Sequence, residues 1–215
     1  MTGGLGAEFR PLRDAAVCLG AALALGLLAL TGPVTAFDDQ VVELARTVRA
    51  GWLTALFRGV HAVASFLPGV LILLGPVLVL ARRHWSPAAR WALTVMLGGW
   101  AIAAGLSVLL DRPPPTPDGW STQLLTGSYP SVQVAFAMGC AVAALGLVRH
   151  RYRTMVIAGG AATVGLIGLA SLYLGVHHLT DLLGAVLVSA AVTALVGAFR
   201  PTPAGEDRLP GWPQR

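Results

Sequence analysis

The sequence predicts an all-α membrane protein built as a bundle of six transmembrane helices, and three observations lead there. Hydrophobic residues make up 55% of the 215-residue chain and charged residues only 12%, with a mean hydropathy of +0.71. A soluble core has no use for so much apolar surface. The apolar residues fall in stretches that reach or approach the roughly 20 needed to carry a helix across about 30 Å of hydrocarbon. Segments rich in Pro, Gly and charge separate those stretches and stop the helices between them.

The first stretch, about residues 15–36, follows Arg10 and Arg13 as a secretory leader would. Its apolar length exceeds a usual leader core, and "VTAF" is a weak cleavage site, so it reads as a span. Residues 37–65, "FDDQVVELARTVRAGWLTALFRGVHAVAS", place apolar residues at helical spacing with Arg46, Arg49, Arg58 and His61 among them. That pattern predicts two short helices lying at the membrane interface. Further spans are predicted at about 66–82, 91–110, 131–148, 155–175 and 179–199. The loop 111–130, "DRPPPTPDGWSTQLLTGSYP", holds five of the fourteen prolines. Gly159, Gly160, Gly165 and Gly168 in the fifth span suit close helix packing in lipid. Residues 1–200 thus form one integral-membrane domain with a short cytoplasmic lead, and 201–215 read as a disordered cytoplasmic tail.

All fifteen cationic residues are Arg. With the N-terminus inside, the cytoplasmic segments hold eleven of them, at positions 10, 13, 82, 83, 90, 149, 151, 153, 200, 208 and 215, against four outside, at 46, 49, 58 and 112. The positive-inside bias therefore puts both termini in the cytoplasm of a bacterial-type plasma membrane. The same asymmetry accounts for a pI near 10.2, and nucleic acid is not an expected partner. The two cysteines, Cys18 and Cys140, both fall within spans and read as small packing residues rather than as a disulfide or metal site.

This topology brings three polar stretches to the outer side: the Pro-rich loop, "GSYPSVQ" opening the fourth span, and "YLGVHHLTD" joining the fifth to the sixth. His177 and Asp181 stand four residues apart, on one helix face or nearly so. A carboxylate that holds one imidazole nitrogen makes the other a better nucleophile or base. The same pair also suits a helix cap and interface anchor.

The segments "LSVLLDRPPP", "YPSVQVAFAMG" and "ASLYLGVHHLTDLLGA" closely resemble the three signature motifs of the type 2 phosphatidic acid phosphatases, integral-membrane lipid phosphate phosphatases related to vanadium haloperoxidases. The resemblance covers about residues 15–199. It implies an all-α bundle that removes phosphate from lipid phosphates or pyrophosphates with no metal and no cofactor. It places the nucleophile on His177 and the orienting carboxylate on Asp181, with Ser131, Gln133, Arg112, Ser171, Tyr173 and His178 around the substrate.

Several motif positions depart from the family pattern. The second motif's Ser is kept as Ser131, but its acid His is Gln133, and an amide cannot act as a general acid. The third motif's Ser and Arg fall on Ala170 and Ser171. Aligned on "RPPP", the first motif's Lys falls on Ser107 and its Arg on Pro114, while Arg112 matches a neighbouring Arg; sliding the register puts Gly105 at the Lys. Each lost charge-stabilising donor typically costs roughly 3–4 kcal/mol in catalysis.

Two readings follow. One is a divergent phosphatase acting on a lipid phosphate or pyrophosphate through His177, with Arg112, Arg58, His61 or His178 taking over missing work. The other is a catalytically silent relative that binds or moves a lipid, or serves as a partner subunit in an envelope complex. Neither the lipid nor the oligomeric state can be read from the residues.

Overall fold

The structure, a computed structural model, describes residues 10–65, 75–76, 87–116 and 127–198. Among these are seven α-helices and no strand: α1 (Arg10–Leu28), α2 (Gly32–Thr47), α3 (Gly51–Ala64), α4 (Pro87–Leu110), α5 (Val132–Leu147), α6 (Arg153–Leu174) and α7 (Leu179–Ala198). The span expected at 66–82 lies outside the described residues apart from 75–76, as do residues 117–126 of the Pro-rich loop and the tail. Four segments are long and apolar enough to cross a membrane: Arg10–Leu28, Arg90–Leu110, His150–Leu174 and Leu179–Ala198. Helix α5, at 16 residues, is apolar but shorter.

Local chemistry sets the helix ends. The first span was expected to run to 36, but α1 stops at Leu28. There the Thr31 hydroxyl donates to the Leu28 carbonyl at 2.6 Å. Pro33 then stands in the first turn of α2, where its fixed φ and missing N–H suit a helix start. Residues 32–36 therefore begin α2. Ser131 caps α5, its hydroxyl accepting the Val134 N–H at 3.4 Å. Helix α6 ends on Gly175 at φ +72°, a left-handed terminator, and Val176 N–H reaches back to the Ser171 carbonyl at 2.9 Å. Only the short stretch Gly175–His178 separates α6 from α7.

Helix α7 is central, lying along α1 and touching α4 and α5. Helices α4 and α5 pair closely, α5 also meets α6, and α3 lies against α6, while α2 touches α6 and α7. The core between them is largely small residues such as Ala22, Ala103, Ala135 and Ala185, which let backbones approach. A Cβ on Gly139 would sit 2.9 Å from the Met96 Cα. Of the four glycines expected to serve packing in α6, Gly160 faces Ala141 and Gly168 faces Leu182, whereas Gly159 and Gly165 have nothing within 4 Å. Large apolar side chains point outward, among them Leu109 at 75% exposure and Met155 at 70%. That is the pattern of an integral membrane protein, with hydrocarbon as the outer solvent.

Candidate functional site

The site lies at one end of the bundle, where α4 ends, α5 and α7 begin, and α2 crosses. Asp111 follows α4 with φ +42°, and Asp is among the few side chains that tolerate this region. The turn carries Arg112 inward to 2% exposure, and its carbonyl accepts the Ser128 N–H at 2.7 Å. Ser107, on the last turn of α4, donates to the Gly127 carbonyl at 2.6 Å. Gly127 presses so close that a Cβ there would lie 2.0 Å from the Ser107 carbonyl oxygen, so only glycine fits.

Arg112 makes three hydrogen bonds within the protein. Its Nη1 donates to Asp181 Oδ1 at 2.6 Å and to Thr180 Oγ1 at 2.8 Å, and its Nη2 to Asp38 Oδ2 at 2.8 Å. Thr180 in turn donates its hydroxyl to Asp38 Oδ2 and its N–H to Oδ1, the latter at 3.2 Å. Asp38 and Asp181 are both 0% exposed. Two carboxylates on one guanidinium leave the cluster a net negative charge before the histidines are counted, and buried ions of this kind persist only when every lone pair is met.

His177 stands beside this cluster. Its Nδ1 donates to the Ser128 carbonyl at 3.0 Å and lies 3.6 Å from Asp181 Oδ2. The hydrogen bond expected from His177 to Asp181 is thus taken first by a backbone carbonyl, with the carboxylate just beyond reach. Asp181 Oδ2 instead accepts the His178 N–H at 2.8 Å, the contact of a residue in the first turn of a helix with the backbone that opens it. The capping role and the pairing with Arg112 account for both of its oxygens. On the far side of the ring, Nε2 is 3.2 Å from Gln133 Oε1. A protonated Nε2 donates to that oxygen; with the amide turned over, an N–H meets the Nε2 lone pair. Either way the amide engages the Nε2 nitrogen.

The remaining expected site residues divide. Ser131 joins the cluster through its N–H, which donates to the Asp181 carbonyl at 3.0 Å. His178 points the other way from His177, with Nε2 3.5 Å from the exposed Asp39 and Nδ1 3.5 Å from Asp181. Ser171 is buried and donates back to the Ile167 carbonyl at 2.8 Å. Tyr173 turns toward α3 and the turn before it. Its hydroxyl lies 3.0 Å from Thr54 Oγ1 and accepts the Ala50 N–H at 2.9 Å, while Arg49 donates to its carbonyl. At two of the positions where the resemblance asks for a cation, Ser107 and Ser171, neutral side chains are satisfied by backbone oxygens.

Sequence reasoning missed Asp38, Thr180 and the Ser128 carbonyl. Asp38 left one signal: it shares the buried face of α2 with Val42, four residues on, so an acid stood at a core position of an amphipathic helix. His61, by contrast, is buried on α3. Its pKa is lowered from the usual 6.5, first by burial and then by the positive charge of a protonated His177 nearby. Among the described residues, no three His, Cys, Asp or Glu side chains are grouped to hold a metal ion.

Comparison with solved structures finds the same architecture in two proteins. One is the transmembrane PAP2-type phosphatidylglycerolphosphate phosphatase of Bacillus subtilis, with a TM-score of 0.70 and 23% identity over 89% of this chain and 96% of that one. The other is Aquifex aeolicus LpxE, with a TM-score of 0.55 and 18% identity over 73% of this chain and 93% of that one. At such identities the likeness speaks for the fold. A comparison with curated protein sequences finds no match. The model of the PAP2 superfamily matches residues 88–203, more than half of the sequence, a stretch that carries Arg112, Ser131, His177 and Asp181, and on that match the chain belongs to the PAP2 superfamily.

Proposed function

We propose that the protein is a divergent, slow lipid phosphatase that acts on a lipid phosphate or pyrophosphate at the extracytoplasmic face of a bacterial-type plasma membrane, with both termini in the cytoplasm. His177 is the nucleophile and Asp181 the carboxylate that balances its charge. The observation that carries this reading is the setting of the His177 ring, with Nδ1 held by the Ser128 carbonyl at 3.0 Å and Nε2 directed at Gln133. A ring fixed at one nitrogen presents the other in a defined direction.

Turnover is slow because phosphoryl transfer is catalysed mainly by fixed charges around the equatorial oxygens. Ser107, Pro114 and Ser171 supply none, and Gln133 has no proton to give. Ser131 and the N-terminus of α5 offer a neutral cradle for the headgroup.

A second reading, a silent relative that binds or moves a lipid, is favoured by a different observation: both ends of the Arg112 guanidinium are spent on carboxylates. Phosphate release by the purified protein from a panel of lipid phosphates and pyrophosphates, beside His177→Ala, separates the two. The first reading expects slow release that disappears in the variant. Equal background from both proteins would sink it and leave lipid binding as the activity to measure.

A further inference from the structure

One buried group at this end of the bundle lacks a partner. Neither ring nitrogen of His61 has a hydrogen-bond partner among the described residues, although the side chain is only 7% exposed. Buried polar atoms are nearly always satisfied, so two such atoms on one ring point to a missing ligand. His61 shares the buried face of α3 with Phe57, one helical turn earlier. Phe57 packs edge-on against Tyr173, with ring centroids 4.8 Å apart. Val60, next to His61, packs against two apolar clusters, one containing Val134 and the other Val176. Those valines adjoin Gln133 and His177, so α3 packs beside the segments that carry the site. The charge coupling between the two imidazoles agrees with that placement.

A phosphate ester that loses its alcohol needs a proton on the departing oxygen. The Gln133 amide cannot give one, Arg112 is locked between two carboxylates, and His178 is turned toward Asp39. We propose that His61, reaching the site from α3, is the proton donor to the leaving group. This rests on the hydrolytic reading above. In the first step the His177 Nε2–phosphorus bond forms as the phosphorus–oxygen ester bond breaks, and the proton of a charged His61 passes to the departing alkoxide. In the second, neutral His61 takes a proton from water as the water oxygen bonds phosphorus and the phosphorus–nitrogen bond breaks, releasing phosphate. The bound phosphoryl anion supplies both the partner that His61 lacks and the negative charge that favours its protonated form.

The test compares leaving groups. Dioctanoyl phosphatidic acid releases an alkoxide that needs the proton, whereas p-nitrophenyl phosphate releases a stable phenolate that does not. For His61→Asn the expected loss in kcat/KM, which reports the steps up to departure of the leaving group and not the later hydrolysis of the phosphohistidine, is about 100-fold or more on the lipid, the span that general acids typically supply, and less than about threefold on the aryl ester. Adding Gln133→His to that variant should restore hydrolysis of the lipid. Equal losses of kcat/KM on both substrates, or no loss on either, would overturn the role of His61 while leaving the phosphatase reading in place. No phosphate release by the wild type above His177→Ala on either substrate would remove both.

Discussion

A single side chain, Arg112, joins α2 to α7 through Asp38 and Asp181. Removing it leaves two buried carboxylates without a counter-charge, so Arg112→Ala should cost about 3–5 kcal/mol of stability. The exposed pair Arg46–Glu43, 3.1 Å apart, is the control: Arg46→Ala should cost less than about 1 kcal/mol. Thermal unfolding in one detergent would compare them, and equal losses would mean that the buried network carries no special weight. His61 makes a second prediction. Its pKa in the fold lies below 6.5, so below that pH the unfolded chain binds a proton that the folded chain does not. By linkage, stability contributed by the neutral ring is fully present above pH 6.5 and lost as the pH falls through the lower value of the folded state. His61→Leu should flatten that part of the slope of melting temperature against pH; an unchanged slope would show that His61 titrates normally.

At the scale of the helices, close approach rather than side-chain bulk decides the packing. Gly139 on α5 meets the backbone of α4 at Met96, and backbone cannot swing aside as a flexible side chain can. Gly139→Ala should therefore separate the pair and cost about 1–3 kcal/mol. Gly159→Ala, on a face of α6 with nothing within 4 Å, should be neutral or stabilising by up to about 1 kcal/mol, because Ala is the better helix former. Unfolding of both variants beside the wild type reads the contrast, and a destabilised Gly159→Ala would point to a partner on that face. Hydropathy located α4, α5, α6 and α7 to within a few residues, because an uninterrupted apolar run has no other way to satisfy its backbone in lipid. It overran α1 because Gly32 and Pro33 stop and restart a helix without interrupting the apolar run.

For the molecule as a whole, the distribution of Arg predicts that α2, α3 and the site face outward. Trp52, 72% exposed on α3, and Arg151, beside the short turn before α6, lie on opposite sides in that topology. With Cys18 and Cys140 replaced by Ala, Trp52→Cys in intact cells should react with a membrane-impermeant maleimide and Arg151→Cys only after lysis. The reverse pattern would invert the orientation. Residue order and composition were enough for the all-α class and the superfamily, because those depend on which residues are present and how far apart they stand along the chain. The fate of the charges that remain depended on distances between segments far apart in sequence. Asp38 reaches Arg112 across 74 positions, and nothing in "FDDQ" or "DRPPP" says that the two will meet. In a dry helix end a guanidinium and a carboxylate must find each other or not be buried at all, and only the packing of α2 across the ends of α4 and α7 decided that Arg112 would be spent on Asp38 and Asp181 instead of being left for a ligand.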